Sequence, residues 1–365
     1  MGNKIRVAVL FGGRSAEHEV SLQSARNVVD AINAEKYETV LIGIDRAGAW
    51  FLNEDSISLL NADDPRLITL NKGNKAVSLV PSDKAGVLVD LQASTALPPI
   101  DVIFPVLHGP YGEDGSVQGL ARLANLACVG SDILGSSIAM DKDVSKRLLR
   151  DAGIQVARHI CLRASDLSSE IDRQLEQDFG YPLYVKPANM GSSVGVVKVL
   201  HPEELEAAIA TALQYDTKVV VEETINGREI ECSVLGNNEP SASAVGEIGT
   251  ADGFYSYEKK YIEEDGARLI IPASLEPATL AAVQQTAIAA FQALESRGMA
   301  RVDMFLTPDD EIYVNEINTI PGFTPISMYP KMWEASGLSY SALIDELVRL
   351  AIERHERRAA KRPSF

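Results

Sequence analysis

The chain has 365 residues, 46% hydrophobic and 23% charged, with 51 acidic against 34 basic side chains and a formal net charge of −17. At roughly 150 residues per domain, two or three domains are expected. The acidic field excludes nucleic acid or an anionic membrane as a bulk partner, while a small phosphorylated ligand needs only a few local cations. Cys128, Cys161 and Cys232 lie far apart with no Cys-x-x-Cys spacing. That pattern argues against a disulfide framework or zinc ribbon and for a reducing cytosol. The first residues lack the apolar length of a secretory leader, and no apolar run approaches the roughly 18 residues of a membrane span.

Val7–Phe11 reads as a buried strand that Gly12-Gly13 interrupts, with Ser15 as the expected N-cap of a helix running towards Ile32. Strands are expected again at Thr39–Ile44 and Asp101–Leu107, the latter stopping at the turn-rich stretch 108–115. Strands alternating with helices predict a parallel sheet, with ligands at its carboxyl edge, where the loops 12–15 and 108–115 fall. Asp141–Gly153 reads as a helix, Tyr184–Lys186 and Val196–Leu200 as strands, Pro202–Leu213 as a helix and Val219–Val221 as a strand, which suggests an α+β unit. Residues 249–266 form a long aperiodic stretch with three tyrosines, of the kind that serves as a lid or is disordered. A packed helix around Leu280–Leu294, a hairpin from Arg301–Leu306 to Ile312–Ile317, and a closing helix from about Tyr340 to His355 complete the order. The basic run Arg354, Arg357, Arg358, Lys361 and Arg362 reads as a solvated tail.

The hairpin carries the strongest physical argument. Residues i and i+2 of a strand share a face. An unbulged hairpin centred on Asp309-Asp310 therefore sets Asp303 opposite Glu316 and Arg301 opposite Asn318, all on one face. Two opposed carboxylates repel, so a cation belongs between them. Oxygen-only donors suit Mg²⁺ or Mn²⁺; the other reading is that Arg301 neutralises the acids as a structural network. The irregular path Asn318–Pro325 follows, and Ser327 at its end offers a hydroxyl and an N–H to a carboxylate.

Lys186 ends an apolar strand and needs an anionic partner. The loop Gly191–Gly195 can cradle phosphate with backbone N–H groups and the hydroxyls of Ser192 and Ser193, although such a segment is also an ordinary turn. It is not a Walker A loop, and no dinucleotide fingerprint follows Gly12-Gly13, which disfavours a dehydrogenase. Lys142 adds a second cation. Glu222, Glu223 and Glu229 suit a ribose or adenine amino group, or form a solvated acidic stretch. Glu17 and His18 fall in the first turn of a helix, where a carboxylate is favourable whatever its role. His108 ends a strand, facing either a ligand or its own turn.

The segments HGPYGEDG at 108–115, KPANMGSSVG at 186–195, RVDMFL at 301–306 and NEINTIPGFT at 315–324, with AEHEVS at 16–21 and MDK at 140–142, resemble the D-alanine–D-alanine ligases of the ATP-grasp superfamily. The likeness runs over essentially the whole chain, in the family's order. It implies an ATP-grasp fold, α/β and α+β, preceded by a parallel-sheet (Rossmann-like) domain. The implied domains are 1–130 for substrate, 131–222 as the central ATP-grasp unit, and 223–365 with the metal hairpin and the lid at 249–266. It implies ATP as co-substrate, two Mg²⁺ (or Mn²⁺), two D-alanine molecules, a cytoplasmic homodimer, and a product used for peptidoglycan. By the same resemblance Glu17, His108, Arg301, Ser327 and Met328 bind the amino acids, and Glu17, Ser192, Tyr261, Arg301 and Ser327 act in catalysis. Lys142, Lys186, Lys260, Ser192 and Ser193 hold phosphates, whereas Glu222, Glu223, Ile225 and Glu229 frame adenine and ribose. Asp303, Glu316 and Asn318 hold the metals. The tyrosine at 261 is similar to dipeptide-forming members, whereas some D-lactate-using relatives carry Phe there. A depsipeptide ligase is the alternative within the class, and a nucleotide-binding regulatory module without chemistry the alternative outside it.

Overall fold

The computed structural model describes residues 4–53, 59–60, 69–70, 75–81, 86–166, 175, 177–249 and 268–361. Tyr261, Lys260 and the expected lid, Gly249 aside, lie outside the described residues. In chain order the first part contains β1 (Ile5–Gly12), α1 (His18–Ala31), β2 (Tyr37–Ile44), β3 (Trp50–Asn53), the short pair β4 (Leu59–Leu60) and β5 (Thr69–Leu70), β6 (Lys75–Val80), β7 (Val87–Asp90), β8 (Thr95–Ala96), β9 (Val102–Val106), α2 (Ser116–Leu123) and β10 (Ala127–Cys128). All but β4 and β5 form an eight-stranded sheet in the order β10-β9-β1-β2-β3-β6-β7-β8. The expected parallel pairing holds for β10, β9, β1 and β2. From β3 onward the sheet turns antiparallel. The segment between β2 and β3 is too short for a crossover helix, so the chain folds straight back.

Strand β1 is buried on both faces. Val7, Val9 and Phe11 enter one core with α1 and the closing helix of the chain, while Ala8 and Leu10 enter another with Val40, Ile42 and Val117. A continuous apolar run is what a covered parallel strand requires, and each fully buried large side chain contributes roughly 1.5–3 kcal/mol. Helix α1 begins later than expected. Glu17, not Ser15, occupies the N-cap position, and the Ser15 hydroxyl instead accepts the Glu17 N–H at 3.1 Å.

The middle of the chain holds α3 (Ile133–Met140), α4 (Lys142–Asp151), β11 (His159–Leu162), β12 (Leu183–Pro187), β13 (Val197–Val199), α5 (Leu205–Ala212) and β14 (Val219–Glu223). Asp141 caps α4, its carboxylate accepting the N–H groups of Asp143 and Val144. The four strands form a separate sheet in the order β11-β14-β12-β13, packed on α5.

A five-stranded sheet follows, in the order β17-β16-β15-β18-β19. Its strands are β15 (Arg228–Gly236), β16 (Ser241–Gly249), β17 (Arg268–Ile270), β18 (Gly298–Leu306) and β19 (Ile312–Asn318), with α6 (Pro277–Ala293) against one face. The chain ends with α7 (Met328–Ala335) and α8 (Tyr340–Ala359). The basic run at the end of α8 is not simply solvated. Arg354 donates to the Cys128 carbonyl at 2.6 Å and Arg358 reaches Asp132 at 3.4 Å, which ties the last helix to β10 of the first sheet and to the N-cap of α3.

Candidate active site

Strand register builds the acidic centre. Arg301 pairs with Asn318 and Asp303 with Glu316, as the spacing predicts, but the hairpin is not unbulged. Beyond Asp303 the register shifts by one, so that Met304 pairs with Val314 and Asn315 is the extra residue. The turn compensates. Thr307 N–H bonds to the Glu311 carbonyl at 3.0 Å, and Asp310 sits at φ +60, which makes a three-residue loop with a left-handed last position. The loop moves the register one way and the bulge moves it back. The bulge also aims Asn315 at Lys186, whose Nζ donates to Asn315 Oδ1 at 3.3 Å.

A third carboxylate joins the pair. On β15, Glu231 lies directly opposite Asp303, so Glu231, Asp303 and Glu316 run side by side across three strands. Arg301 holds this row. Its guanidinium engages both oxygens of Asp303 at 2.7 Å and reaches Glu231 at 3.0 Å. Asn318 Nδ2 donates to Asp303 at 2.9 Å, and Lys142 lies 3.2 Å from Glu316. In this conformation Arg301 and Lys142 together face the acids, where the structural-network reading had Arg301 alone. Among the described residues no cluster of three or more His, Cys, Asp or Glu is poised around a metal. The donor chemistry of Asp303, Glu316 and Asn318, all oxygen, nonetheless fits a hard divalent ion.

A cavity of about 300 Å³ opens between the four-stranded and five-stranded sheets, lined by Lys142, Lys186, Ser193, Glu222, Glu223, Ile225, Glu229, Asp303 and Glu316. Glu222 is 2% exposed, which overturns the solvated reading. Its Oε1 ion-pairs with Lys186, and its Oε2 lies 3.0 Å from Lys146. Glu223 is committed to Arg158, whose backbone N–H and Nε it accepts at 2.8 and 2.7 Å. Burial pushes the Lys186 ammonium down to about 7, and neighbouring Lys146 adds to the effect. Lys142 donates to the Met190 carbonyl at 2.6 Å.

A smaller cavity of about 90 Å³ adjoins it and shares Glu231 and Glu316. Glu17, His108, Ser192, Arg301, Asn318, Ser327 and Met328 line it, so the residues expected at the amino acids are brought together. Ser192 donates to Glu17, joining the glycine-serine loop to the first helix. Ser192 and Ser193 both adopt left-handed φ, +50 and +59, a strained backbone that sites of function tolerate. Gly191 and Gly109 crowd the Glu17 carboxylate, and a Cβ at Gly109 would stand 2.8 Å from Glu17 Oε2. The Ser327 hydroxyl accepts the Thr324 N–H at 2.9 Å, and Met328 starts α7 packed on Met332.

His108 is 4% exposed, and burial holds its ring below the usual imidazole range. Nδ1 contacts the Ile320 carbonyl at 2.9 Å and Nε2 contacts Ser24 at 3.2 Å, so both nitrogens serve the protein. Glu113, which the sequence reading passed over, accepts the Ile320 N–H at 2.6 Å and the Gly109 N–H at 3.1 Å. Together His108 and Glu113 hold the carbonyl and the N–H of one residue, Ile320, in the 318–327 path. Burial and nearby Glu17 push the Glu113 carboxyl from 4.5 up to about 8. The folded chain therefore holds a proton there that the unfolded chain releases, so stability falls as pH rises across that interval. Denaturant titrations of Glu113→Gln across the same interval should give a flatter pH dependence than the parent; an unchanged slope assigns the proton elsewhere.

Three sheets, two of them closing on a lysine-lined cavity beside a row of acids, define an enzyme of the ATP-grasp fold. The family described as D-ala D-ala ligase N-terminus matches residues 6–131, and that described as D-ala D-ala ligase C-terminus matches residues 148–349. The chain belongs to the D-alanine–D-alanine ligase family. It is 54% identical to the D-alanine–D-alanine ligase of Oceanobacillus iheyensis over 97% of each chain. It is 53% identical to D-alanine–D-alanine ligase A of Escherichia coli K12 over 96% of this chain and 97% of that one. Among solved structures, the D-alanine–D-alanine ligase of Coxiella burnetii superposes with a TM-score of 0.83 at 38% identity, covering 98% and 97% of the two chains. The VanG D-Ala:D-Ser ligase of Enterococcus faecalis gives 0.83 at 37%, covering 96% and 100%.

Proposed function

We propose that this chain is an ATP-dependent ligase that joins two D-alanine molecules into D-alanyl-D-alanine for peptidoglycan synthesis. The observation that carries the reading is that the two cavities adjoin across shared residues. Lysines suited to phosphates line one, Glu17, Arg301 and Ser327 line the other, and Glu316 borders both. In the proposed sequence the carboxylate of the first D-alanine takes the γ-phosphoryl group of ATP and ADP leaves. The amino group of the second D-alanine then attacks the acyl carbon, loses a proton, and expels phosphate. The protein contributes position and charge.

In this reading Glu17, held by Ser192, binds the ammonium of the first D-alanine, with His108 behind it. Ser327 and Met328 receive the second D-alanine, and Arg301 faces the charge that develops on the acyl group. Lys142, Lys186, Ser193 and, outside the described residues, Lys260 take the phosphates. Glu223, Ile225 and Glu229 frame the base and ribose, whereas the Glu222 carboxylate is turned to its lysines. Asp303, Glu316 and Asn318 would hold Mg²⁺ or Mn²⁺, two ions in all, which when bound supply positive charge against the nucleotide phosphates. Tyr261 and the lid complete the site and keep water from the acyl phosphate. The proposal extends to the three-part division at 130 and 222, to a homodimer and to the cytoplasm. No described helix is long and apolar enough to cross a membrane.

The deciding assay is D-alanine-dependent ADP release with identification of the product, run in parallel with D-lactate and D-serine as second substrate. D-alanyl-D-alanine as the main product supports the reading. A depsipeptide or D-alanyl-D-serine as the main product replaces it with the corresponding ligase, and ATP binding without ADP release replaces it with a regulatory module. Within the same assay, Ser192→Ala should raise the KM for D-alanine about tenfold by freeing the Glu17 carboxylate. A KM equal to the parent's removes Ser192 from the substrate site.

A further inference from the structure

Lys146 is a buried cation for which the reaction above has no use. It is 1% exposed and lies one turn beyond Lys142 on the same face of α4. Like charges at that spacing repel unless anions face them. Here each lysine has its own. Lys142 faces Glu316, Lys146 faces Glu222 Oε2, and Lys186 takes the other oxygen of Glu222. Three lysines thus share two carboxylates. Cations outnumber anions by one among these five side chains, and Lys142 and Lys186 stand at the cavity wall.

We propose that Lys146 is a positioning residue for nucleotide binding, occupying the far oxygen of Glu222 so that Lys186 remains available to phosphate. The inference rests on the nucleotide reading of the larger cavity. Without Lys146 the count is two against two. Glu222 then has Lys186 as its one neutralising partner, and any phosphate must compete with a desolvated carboxylate for it. The cost falls on ATP and not on D-alanine, because Lys146 touches nothing in the smaller cavity.

The test is a double-substitution cycle read by calorimetric titration of ATP into the full chain, with steady-state kinetics alongside. Lys146→Met should weaken ATP binding about tenfold or more, the worth of one charge-assisted contact. The KM for D-alanine and kcat at saturating ATP should stay within about threefold. In a Glu222→Gln background the same Lys146→Met change should cost less than about threefold, because no carboxylate remains to capture Lys186. Equal losses in both backgrounds, or no loss in either, overturn the proposal. Should Lys146→Met alone not fold, Lys146→Arg and the doubly substituted chain decide it: each must bind ATP at least about tenfold more tightly than Lys186→Met, and failure to do so overturns it. A parent chain that binds ATP but releases no ADP with D-alanine removes the ligase reading and leaves this one to the binding cycle. A parent that binds no ATP removes both.

Discussion

Glu316→Gln should lower D-alanine-dependent ADP release by about a hundredfold or more, the scale of losing a charged group aimed at the reacting centre. The amide keeps the volume and one oxygen but not the charge that a divalent ion needs. Stability should change by no more than about 1 kcal/mol, because two effects oppose. Lys142 loses its carboxylate, yet it keeps the Met190 carbonyl. Meanwhile the repulsion between Asp303 and the carboxylate directly across the ladder disappears. Turnover near the parent's in Mg²⁺, measured at saturating ATP and D-alanine, takes Glu316 out of the metal site. A large fall in melting temperature assigns it a structural role.

Arg301→Met is the more damaging change. Its guanidinium is bidentate on Asp303 and also reaches Glu231, whose side chains are 14% and 6% exposed. Removing it takes the shared cation from two adjacent, largely buried carboxylates at the cavity wall, which costs about 3–5 kcal/mol. Lysine does not rescue it, since a single ammonium cannot reproduce the planar fork. Catalysis should fall below detection in both variants. Chemical denaturation checks the first statement, and Arg301→Met/Asp303→Asn should recover part of the lost stability. A stability loss below about 1 kcal/mol in Arg301→Met contradicts the ion row.

The acidic centre was legible in the sequence because strand periodicity is strict. Residues 301 and 303 share a face, as do 316 and 318, and the register expected from the turn set the two pairs together, whereas a slip of one residue would have parted them. The pairing came out as expected by a different route, with the left-handed Asp310 and the bulge at Asn315 offsetting each other. Neither is written in residue type, since Asp and Asn are common in any turn. Glu231 escaped notice although its strand alternates Ile230, Cys232 and Val234 inward with Glu229, Glu231 and Ser233 on the other face. The strand is nine residues long, but which residue faces Asp303 is set by its pairing with β18, more than sixty residues further along the chain. Lys146 was hidden for another reason. Its spacing from Lys142 looks like the wet side of an amphipathic helix until two glutamates from other elements cover it. Glu113 sat inside a quoted motif, yet nothing local told that its carboxyl would be buried and proton-bearing.

The helix that ends the chain completes the core begun by the strand that starts it. Leu343, Ile344, Leu347, Val348 and Ala351 lie against Val7, Val9, Phe11, Val102 and Phe104. During synthesis β1 leaves the ribosome more than three hundred residues before Leu343 is added, and β9 more than two hundred. Helix α1 covers part of that side early, but the rest stays open until α8 is made, and a chain cut short before Leu343 presents a greasy surface to chaperones and proteases instead of a finished fold.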